Sequence, residues 1–414
     1  SAASVTAALN TANTVLADED ATQAQVNAAA SELNSAVAAL VELNPTVDKS
    51  QLQSAVNAAA AIDLSLYTAA SAASVTAALN TANTVLADED ATQAQVDAAA
   101  SGLNNAVAAL VELTPAEGTF ISGTYQYRNY KLYVPGSYVS GTDMPMMVML
   151  HAGAQDPDIF ASETQMNDEA DARGFFVLYP DQPYTANYTK CWNWFLTADQ
   201  TRGSGEAAII AGITTQVMSQ YSIDESRVYV SGLGAGGAMA VIMGATYPDL
   251  YSGIGVAEGL EYKAATSTYS AYLSMISGGP SPATQGQLAY NAMGNYADVI
   301  PVIVFQGSAD TTVYPVNGNQ VISQWAKTND LADDGTANNS IDDTADTTIT
   351  GTVNVPDGKS YTQYIYEDGN GNTVMEKYIV NGMGYAWSGG SADGVKTDPT
   401  GPDMTNILCD FFLM

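Results

Sequence analysis

The chain has 414 residues, enough for two or three domains, and its hydrophobic content of 46% is typical of a globular chain rather than a disordered one. With 12 basic and 44 acidic residues it has a net charge of -32, which excludes nucleic acid and anionic membrane surfaces as partners. No apolar run reaches the length of a membrane span, so no membrane insertion is predicted. The sequence begins inside a repeat without an initiator Met, so we expect a fragment of a longer protein.

The first part of the chain contains a repeat. Residues 1–43 recur at 71–113, with differences only at Asn27, Glu32 and Ser35 of the first copy. Near-identity at a fixed spacing is the signature of a repeat array.

The pattern within each copy is helical. A threonine followed three residues later by a glutamine predicts a capping box at Thr22 and Gln25, and again at Thr92 and Gln95. The apolar residues that follow the first box share one helical face: Val26, Leu33, Val37 and Leu40. Further helices predicted near 52–60 and 75–86 give three helices per unit, which favours an antiparallel bundle whose first copy lacks its opening helix.

These repeats resemble the FIVAR repeats of Gram-positive cell-surface proteins. The resemblance rests on Leu66-Tyr67-Thr68, the helix over 79–86 and the helix start Thr92-Gln93-x2-Val96. It implies a partial repeat over 1–47, a complete three-helix repeat over 48–114 and a stalk or spacer role. No residue of this region is assigned a chemical role.

Residues 119–414 have a different composition, rich in Tyr, Trp, Met, Gly and Pro. Apolar runs predict strands at 127–134, 146–150, 175–179, 227–231 and 301–305. Helical stretches lie between them, around 164–173 and 207–220 and from about Gly237. This alternation predicts an α/β fold with a doubly wound sheet.

One glycine-rich turn stands where a predicted strand runs into a predicted helix. Its sequence is Gly232-Leu233-Gly234-Ala235-Gly236-Gly237. In α/β-hydrolases a Gly-x-Ser-x-Gly turn occupies this place and carries the nucleophile. The turn alone is a weak signal.

Residues 119–414 resemble the polyhydroxybutyrate-depolymerase-like esterases, which include feruloyl and acetylxylan esterases. The matching motifs run in chain order: Met149-Leu150-His151, Tyr179-Pro180-Asp181-Gln182, Cys191-Trp192-Asn193-Trp194-Phe195, Arg202-Gly203-x-Gly205-Glu206, Ile223-Asp224-x2-Arg227-Val228-Tyr229-Val230, Ala238-Met239-Ala240, Gly307-x2-Asp310-x2-Val313 and Gly382-Met383-Gly384-x-Ala386-Trp387-Ser388-Gly389-Gly390. The resemblance implies an α/β-hydrolase domain over nearly all of this region.

The same resemblance shows which catalytic positions have changed. The nucleophilic serine of the family is Gly234 here, its histidine base is Tyr385, and only its acid remains, as Asp310. The oxyanion loop reads His151-Ala152-Gly153 where the family commonly has His-Gly, so the oxyanion positions are Ala152 and Ala235. Loss of the nucleophile alone costs about a millionfold in turnover in a well-studied hydrolase, and a tyrosine is a poor base at neutral pH. Ser231 and Ser308 flank the site and carry little weight as replacement nucleophiles.

Several residues near these positions have two interpretations. The residues predicted to line a binding cleft are His151, Trp192, Trp194, Tyr385 and Trp387, although core packing is the commoner role of such tryptophans. Cys191 and Cys409 either form a disulfide, which fits an exported protein, or remain as buried thiols.

The remaining features of the second region predict surface structure. Residues 331–351 are acidic and predict a solvated loop, with a weak calcium site as an alternative that does not match EF-hand spacing. Asp368-Gly369-Asn370-Gly371 predicts a hairpin turn. A single histidine and two cysteines lead us to predict no metal site and no cofactor.

Three functions follow from these observations. The first is a non-catalytic binding or adhesion module on a secreted or cell-surface bacterial protein, with a cell-wall or plant-type glycan, an ester-bearing polymer, another surface domain or itself as partner. The second is a structural subunit of a surface assembly. The third is an ester hydrolase of unorthodox mechanism. An open aromatic cleft would favour the first, and a cleft filled by Tyr385 and its neighbours would favour the second.

Overall fold

The computed structural model describes residues 1–40, 47–111 and 117–413, and the chain divides into two compact units, Ser1–Thr114 and Pro115–Met414. The predicted end of the repeat region at residue 114 lies outside the described residues. None of the helices in the described ranges combines the length and apolarity that crossing a bilayer requires.

The first unit is helical, as predicted. Its five α-helices are α1 (Ala2–Ala17), α2 (Gln23–Ala38), α3 (Ser50–Ala60), α4 (Ala69–Ala87) and α5 (Gln93–Ala108). Both predicted capping boxes are confirmed: the Thr22 and Thr92 side chains accept from the backbone N–H of Gln25 and Gln95, whose side chains accept in return from the two threonine N–H groups.

The core of this unit lies among α3, α4 and α5. Leu52 of α3, Val75 and Ala82 of α4, and Val96 and Leu103 of α5 are all buried in one cluster. Because the helices are rich in alanine, the buried leucines and valines bury the most apolar area per side chain.

The second unit is built on a sheet of ten strands. They are β1 (Thr119–Tyr125), β2 (Arg128–Val134), β3 (Met144–Leu150), β4 (Phe176–Pro180), β5 (Ile223–Leu233), β6 (Ile254–Ala257), β7 (Val302–Gly307), β8 (Thr347–Thr352), β9 (Ser360–Glu367) and β10 (Thr373–Val380). Their order is β1-β2-β4-β3-β5-β6-β7-β10-β9-β8. The six central strands, from β4 to β10, are parallel, and antiparallel strands complete the sheet at both edges. A pair of two-residue strands, β11 (Trp387–Ser388) and β12 (Thr397–Asp398), lies apart from it.

Helices connect the strands. They are α6 (Pro157–Thr164), α7 (Met166–Arg173), α8 (Gly205–Gln220), α9 (Ala235–Thr246), α10 (Thr268–Ser277), α11 (Pro282–Met293), α12 (Val316–Asp334) and α13 (Met404–Leu413). The central strands are buried on both faces, which explains why β3, β4 and β7 have continuous apolar sequences. The α/β fold with a doubly wound sheet is therefore confirmed.

Three local predictions needed correction. The first strand of the sheet, β1, was not predicted, because small and polar residues weaken its alternation. The helix predicted over 164–173 is α7, which begins at Met166, and a further helix, α6, precedes it, with Gln165 between the two in a left-handed conformation with φ 56°. The acidic stretch 331–351 is not wholly a loop, since it begins inside α12 and ends inside β8.

Candidate functional site

The strand-to-helix elbow lies at the carboxyl end of β5, where α9 begins. Gly234 occupies its apex with φ 58° and ψ -109°, a backbone conformation that glycine adopts far more readily than other residues. Gly236 is required by close packing, because a Cβ there would lie 1.9 Å from the carbonyl oxygen of Leu150. The geometry of a nucleophile elbow is therefore present without a nucleophile.

The space that a side chain at the apex would need is taken by Tyr385, from the loop between β10 and β11. A Cβ built on Gly234 would lie 1.7 Å from the Tyr385 hydroxyl oxygen and 2.7 Å from the ring carbon that carries it. Burial raises the pKa of Tyr385 further above its ordinary value, so the phenol stays protonated at neutral pH. The two replaced positions of the triad are thus in direct steric contact with each other.

The acid position lies just beyond the carboxyl end of β7. Asp310 is 2% exposed, and its Oδ1 accepts from the backbone N–H groups of Thr312 (2.7 Å) and Val313 (3.1 Å). Its Oδ2 is buried, and the Asp310 carboxyl is hydrogen-bonded to the carboxyl of Glu258. Burial is the main cause that raises the pKa of Asp310. The acid position is therefore one member of a pair of buried carboxyl groups.

A second buried carboxyl group, Glu258, was missed by the sequence analysis. It follows β6 with φ 47° and is completely buried, and its Oε1 accepts from the Gly307 N–H at 2.7 Å, while Gln306 contacts its other oxygen. Burial, and then the charge of Asp310, raise the pKa of Glu258 well above its usual value, so we expect a neutral carboxylic acid at pH 7. No sequence motif announces this residue, because an isolated glutamate after a strand has no characteristic spacing.

The two oxyanion positions differ from one another. The N–H of Ala152 donates to Oε1 of Gln155 at 2.9 Å, so this candidate oxyanion donor already has an internal acceptor. Ala235 lies in the first turn of α9, where backbone N–H groups have no acceptor within the helix. Only the second position therefore retains the donor that an oxyanion hole needs.

A large open cavity, which we call the elbow cleft, lies directly over Gly234 and Tyr385. Its volume is about 850 Å³. Six aromatic side chains line it: Tyr184, Tyr188, Trp194, Phe195, Tyr272 and Tyr385. Lys396, which the sequence analysis did not single out, is the charged side chain among the described lining residues. Tyr385 fills the nucleophile position but leaves the cleft open.

Three residues predicted for the cleft lie in the core instead. Trp192, Trp387 and His151 are at most 1% exposed and do not line the elbow cleft, whereas Trp194 and Tyr385 do line it. The indole N–H groups explain part of this placement: Trp192 donates to the His151 carbonyl at 3.1 Å and Trp387 donates to Thr405 Oγ1 at 3.0 Å. These motif tryptophans therefore pack and brace the loops around the cleft.

His151 has a structural role in the same loops. Its Nδ1 donates to the Ala152 carbonyl at 2.8 Å, and its Nε2 accepts from the Gln182 N–H at 3.1 Å, which fixes a neutral ring. Burial lowers the pKa of His151 to about 4. With both ring nitrogens engaged and no contact with the cleft, His151 is not placed to act as a general base.

The disulfide interpretation of Cys191 and Cys409 is wrong, because both are free thiols. Cys191 lines the elbow cleft, whereas Cys409 is buried in α13 beside Met166, with 4.0 Å between the two sulfur atoms. The thiols belong to different regions of the packing, so the alternative of unpaired cysteines holds.

The two serines near the site do not replace the nucleophile. Ser231 is completely buried within β5, and the Ser308 hydroxyl accepts from the Gly382 N–H at 2.9 Å. Neither lines the elbow cleft. Across the described ranges, the acidic stretch 331–351 included, no group of three or more His, Cys, Asp or Glu side chains is arranged to hold a metal ion.

The sheet order, the elbow at the end of β5 and the acid after β7 define an α/β-hydrolase-fold domain. The family model of the esterase PHB depolymerases matches residues 128–347, and the chain belongs to that family. The FIVAR domain model matches residues 1–41 and 48–111 of the first unit.

Characterised relatives agree with this assignment. Poly(3-hydroxyalkanoate) depolymerase C of Paucimonas lemoignei is 35% identical over 243 residues, which are 58% of this chain and 54% of that protein, so the chain spans about half of its length. Acetylxylan esterase A of Talaromyces purpureogenus is 30% identical over 300 residues, 68% of this chain and 72% of that enzyme. The structure of an acetyl xylan esterase from Aspergillus awamori aligns with a TM-score of 0.57 at 21% identity, over 71% of this chain and 99% of that one, which supports the fold.

Proposed function

We propose that the esterase-like unit is a non-catalytic binding module, carried by FIVAR repeats on a secreted or cell-surface bacterial protein. One observation carries the proposal: the Tyr385 hydroxyl occupies the place of a nucleophile side chain, while the elbow cleft beside it stays open at about 850 Å³. A decayed site with no remaining role would not need an open cleft lined by six aromatic side chains.

Chemistry argues against acyl transfer by the triad route. That route needs an activated nucleophile within hydrogen-bond reach of a base. Gly234 offers no side chain, Tyr385 is held protonated, and the N–H of Ala152 is already bonded to Gln155. Nucleophile, base and one oxyanion donor are therefore all missing from the same site.

The ligand we propose is a component of an ester-bearing polymer or glycan. The relatives are named for poly(3-hydroxyalkanoate) and acetylxylan, and aromatic walls suit both apolar chains and sugar rings. The net charge of -32 disfavours nucleic acid as a partner. Another surface domain or a second copy of this chain is the alternative partner, which corresponds to the structural role.

The first experiment measures hydrolysis of 4-nitrophenyl acetate, acetylated xylo-oligosaccharide and methyl ferulate by the full chain. We expect no turnover above a heat-denatured sample. The double variant Gly234→Ser/Tyr385→His restores the serine and the histidine that accompany the acid, Asp310, in the family, so it should gain at least about a thousandfold over the natural chain. Gly234→Ser/Tyr385→Phe is the matched control, which restores the serine without a base and should stay silent.

Turnover by the natural chain would overturn the proposal and favour the unorthodox hydrolase. Cys191 is the cysteine among the described residues that line the cleft, so Cys191→Ser would then show whether its thiol is responsible. Calorimetric titration with soluble oligomers of 3-hydroxybutyrate and with acetylated xylo-oligosaccharide tests binding directly. Absence of binding to both would leave the structural role as the better interpretation.

A further inference from the structure

Lys396 is held rigidly at the edge of the elbow cleft. It lies in the loop between β11 and β12, where its carbonyl accepts from the Trp387 N–H at 2.8 Å. The buried Glu163 carboxylate anchors the same loop by accepting from the Val395 N–H at 2.8 Å. The Lys396 ammonium group reaches back and donates to the carbonyl oxygen of Gly153, beside Ala152 of the altered oxyanion loop. Its charge is thereby fixed at the cleft rather than free in solvent.

Lys396 is one of four basic side chains without an ion pair in the described part of the chain, and it is the one that lines the elbow cleft. Eight of the 12 basic side chains take part in nine ion pairs: Arg128, Lys131, Arg173, Lys190, Arg202, Arg227, Lys327 and Lys359. Lys396 has no carboxylate within ion-pair distance in the described part of the chain, although 44 acidic residues are available. Glu163 is the nearby carboxylate, and it is committed to backbone N–H groups.

An unpaired cation at a partly buried position is costly, because burial removes its hydration without supplying a counter-charge. Desolvation is the main cause that lowers the pKa of Lys396, although the charge of Glu163 acts in the opposite direction. An anion bound in the cleft would remove this cost, while a neutral ligand would leave it. The electrostatics of the cleft therefore differ from those of the acidic surface around it.

The other walls of the cleft determine what kind of anion fits. Trp194, Phe195 and Tyr272 present aromatic surfaces, and the remaining lining groups are uncharged apart from Lys396. Aromatic faces stabilise flat apolar groups in stacked or edge-to-face contacts. A small inorganic anion would use the charge and leave these walls in contact with water.

We propose that the elbow cleft selects an organic carboxylate with a flat apolar body over the matching neutral ester or amide, and that Lys396 sets this preference. The proposal rests on the binding role proposed above and names its ligand class. Two N–H groups of the ammonium remain after the bond to Gly153, enough for charge-assisted hydrogen bonds to a carboxylate. The preferred ligand is thus an acid rather than the ester from which such an acid is released.

The test uses calorimetric titration of the full chain at pH 7 with cinnamate and cinnamamide, which share one shape and differ in charge. We expect cinnamate to bind roughly tenfold more tightly. Lys396→Met should remove that difference by weakening cinnamate alone, and the preference of the natural chain should shrink in 0.5 M salt. Lys263→Met is the matched control, because Lys263 also lacks an ion pair in the described residues but lies over the Tyr262 ring and outside the cleft.

Equal binding of the two probes by the natural chain, or a preference that survives Lys396→Met, would overturn this inference. Either result leaves the binding role intact if the ester oligomers still bind. Failure of both probes also overturns the inference, and the ester titration then decides the binding role separately. The comparison within the natural chain keeps the test valid even where Lys396→Met folds poorly.

Discussion

The two copies of the repeat have almost the same sequence and different burial. Leu103 of α5 is completely buried, whereas its counterpart Leu33 in α2 is only partly buried. The same contrast separates Val96 from Val26. The helices and capping boxes are nevertheless the same in both copies.

The difference has a simple structural cause. Helix α3 packs against both α4 and α5 and contributes Leu52 and Val56 to their common core. In this chain α1 and α2 pack on each other without an equivalent of α3. Local sequence thus determines where a helix begins, and a partner in space determines what it buries.

The elbow of the second unit illustrates the same dependence. Its backbone shape follows from local glycines. The space that a side chain at Gly234 would occupy, however, is filled by Tyr385, which lies 151 positions further along the chain. Four predictions test how far local and long-range causes can be separated.

The largest effect is expected for leucine truncation in the buried copy. Leu103→Ala removes a fully buried side chain and should cost about 2–5 kcal/mol, whereas Leu33→Ala should cost less than about 1 kcal/mol. Amide hydrogen exchange of α5 and α2 by mass spectrometry measures both, since Asp97 and Asn27 distinguish the peptides. Equal costs would show that the two copies share one environment in solution.

The next effect concerns the elbow. Gly234→Ser with Tyr385 retained should lower the free energy of unfolding by about 1–3 kcal/mol from overpacking, with backbone strain in addition. Denaturant unfolding followed by tryptophan fluorescence measures the loss, and adding Tyr385→His should recover the overpacking part. Gly369→Ser is the control, because a side chain there has no neighbour within 4 Å. A Gly234→Ser variant with the same free energy of unfolding as the natural chain would contradict the proposed steric exclusion.

A third effect depends on pH. The pKa of Glu258 is raised in the folded state, so above about pH 5 the unfolded chain releases a proton that the folded chain retains, and stability falls as the pH rises. Glu258→Gln removes this titration, and the new amide can donate to the carboxylate of Asp310, to which Glu258 is hydrogen-bonded. As the pH rises, the free energy of unfolding of the variant should increase relative to that of the natural chain by up to about 1.4 kcal/mol per pH unit.

Thermal unfolding from pH 5 to 8 measures this gain, with the exposed Glu225→Gln as the baseline for removing one charge. A stability difference that does not change with pH would mean that Glu258 is already ionised in the folded protein. The stability difference stops changing once the pH exceeds the raised pKa of Glu258, because the glutamate is then deprotonated in both the folded and the unfolded chain.

The smallest effect is expected to be equal in the two copies. Thr22→Ala and Thr92→Ala each remove a capping box and should each cost about 1 kcal/mol of local helix stability. Hydrogen exchange of the first turns of α2 and α5 compares them. Unequal losses of helix stability in the two variants would show that tertiary contacts, and not only local sequence, determine what a capping box contributes.

Sequence reasoning succeeded where the signal was local or carried by a motif. The capping boxes, the buried strands β3, β4 and β7 and the elbow all follow from adjacent residues. Glu258 and Lys396 could not be identified, because their importance comes from the burial and the missing ion pair that distant loops create. For Trp192 and Trp387 the sequence leaves the cleft and the core as alternatives, because a motif shows that a residue is used, not whether it faces a ligand or the core; both lie in the core.

The fit of Tyr385 against Gly234 also makes the two substitutions depend on each other. In an ancestor with the serine of the family, a tyrosine at 385 would have met an occupied position, since even a Cβ lies 1.7 Å from its hydroxyl oxygen. A serine at 234 and the tyrosine in its present place therefore exclude each other. A laboratory lineage that restores catalysis would reach the serine at lower cost if position 385 changed first, because Gly234→Ser alone carries the overpacking cost of about 1–3 kcal/mol.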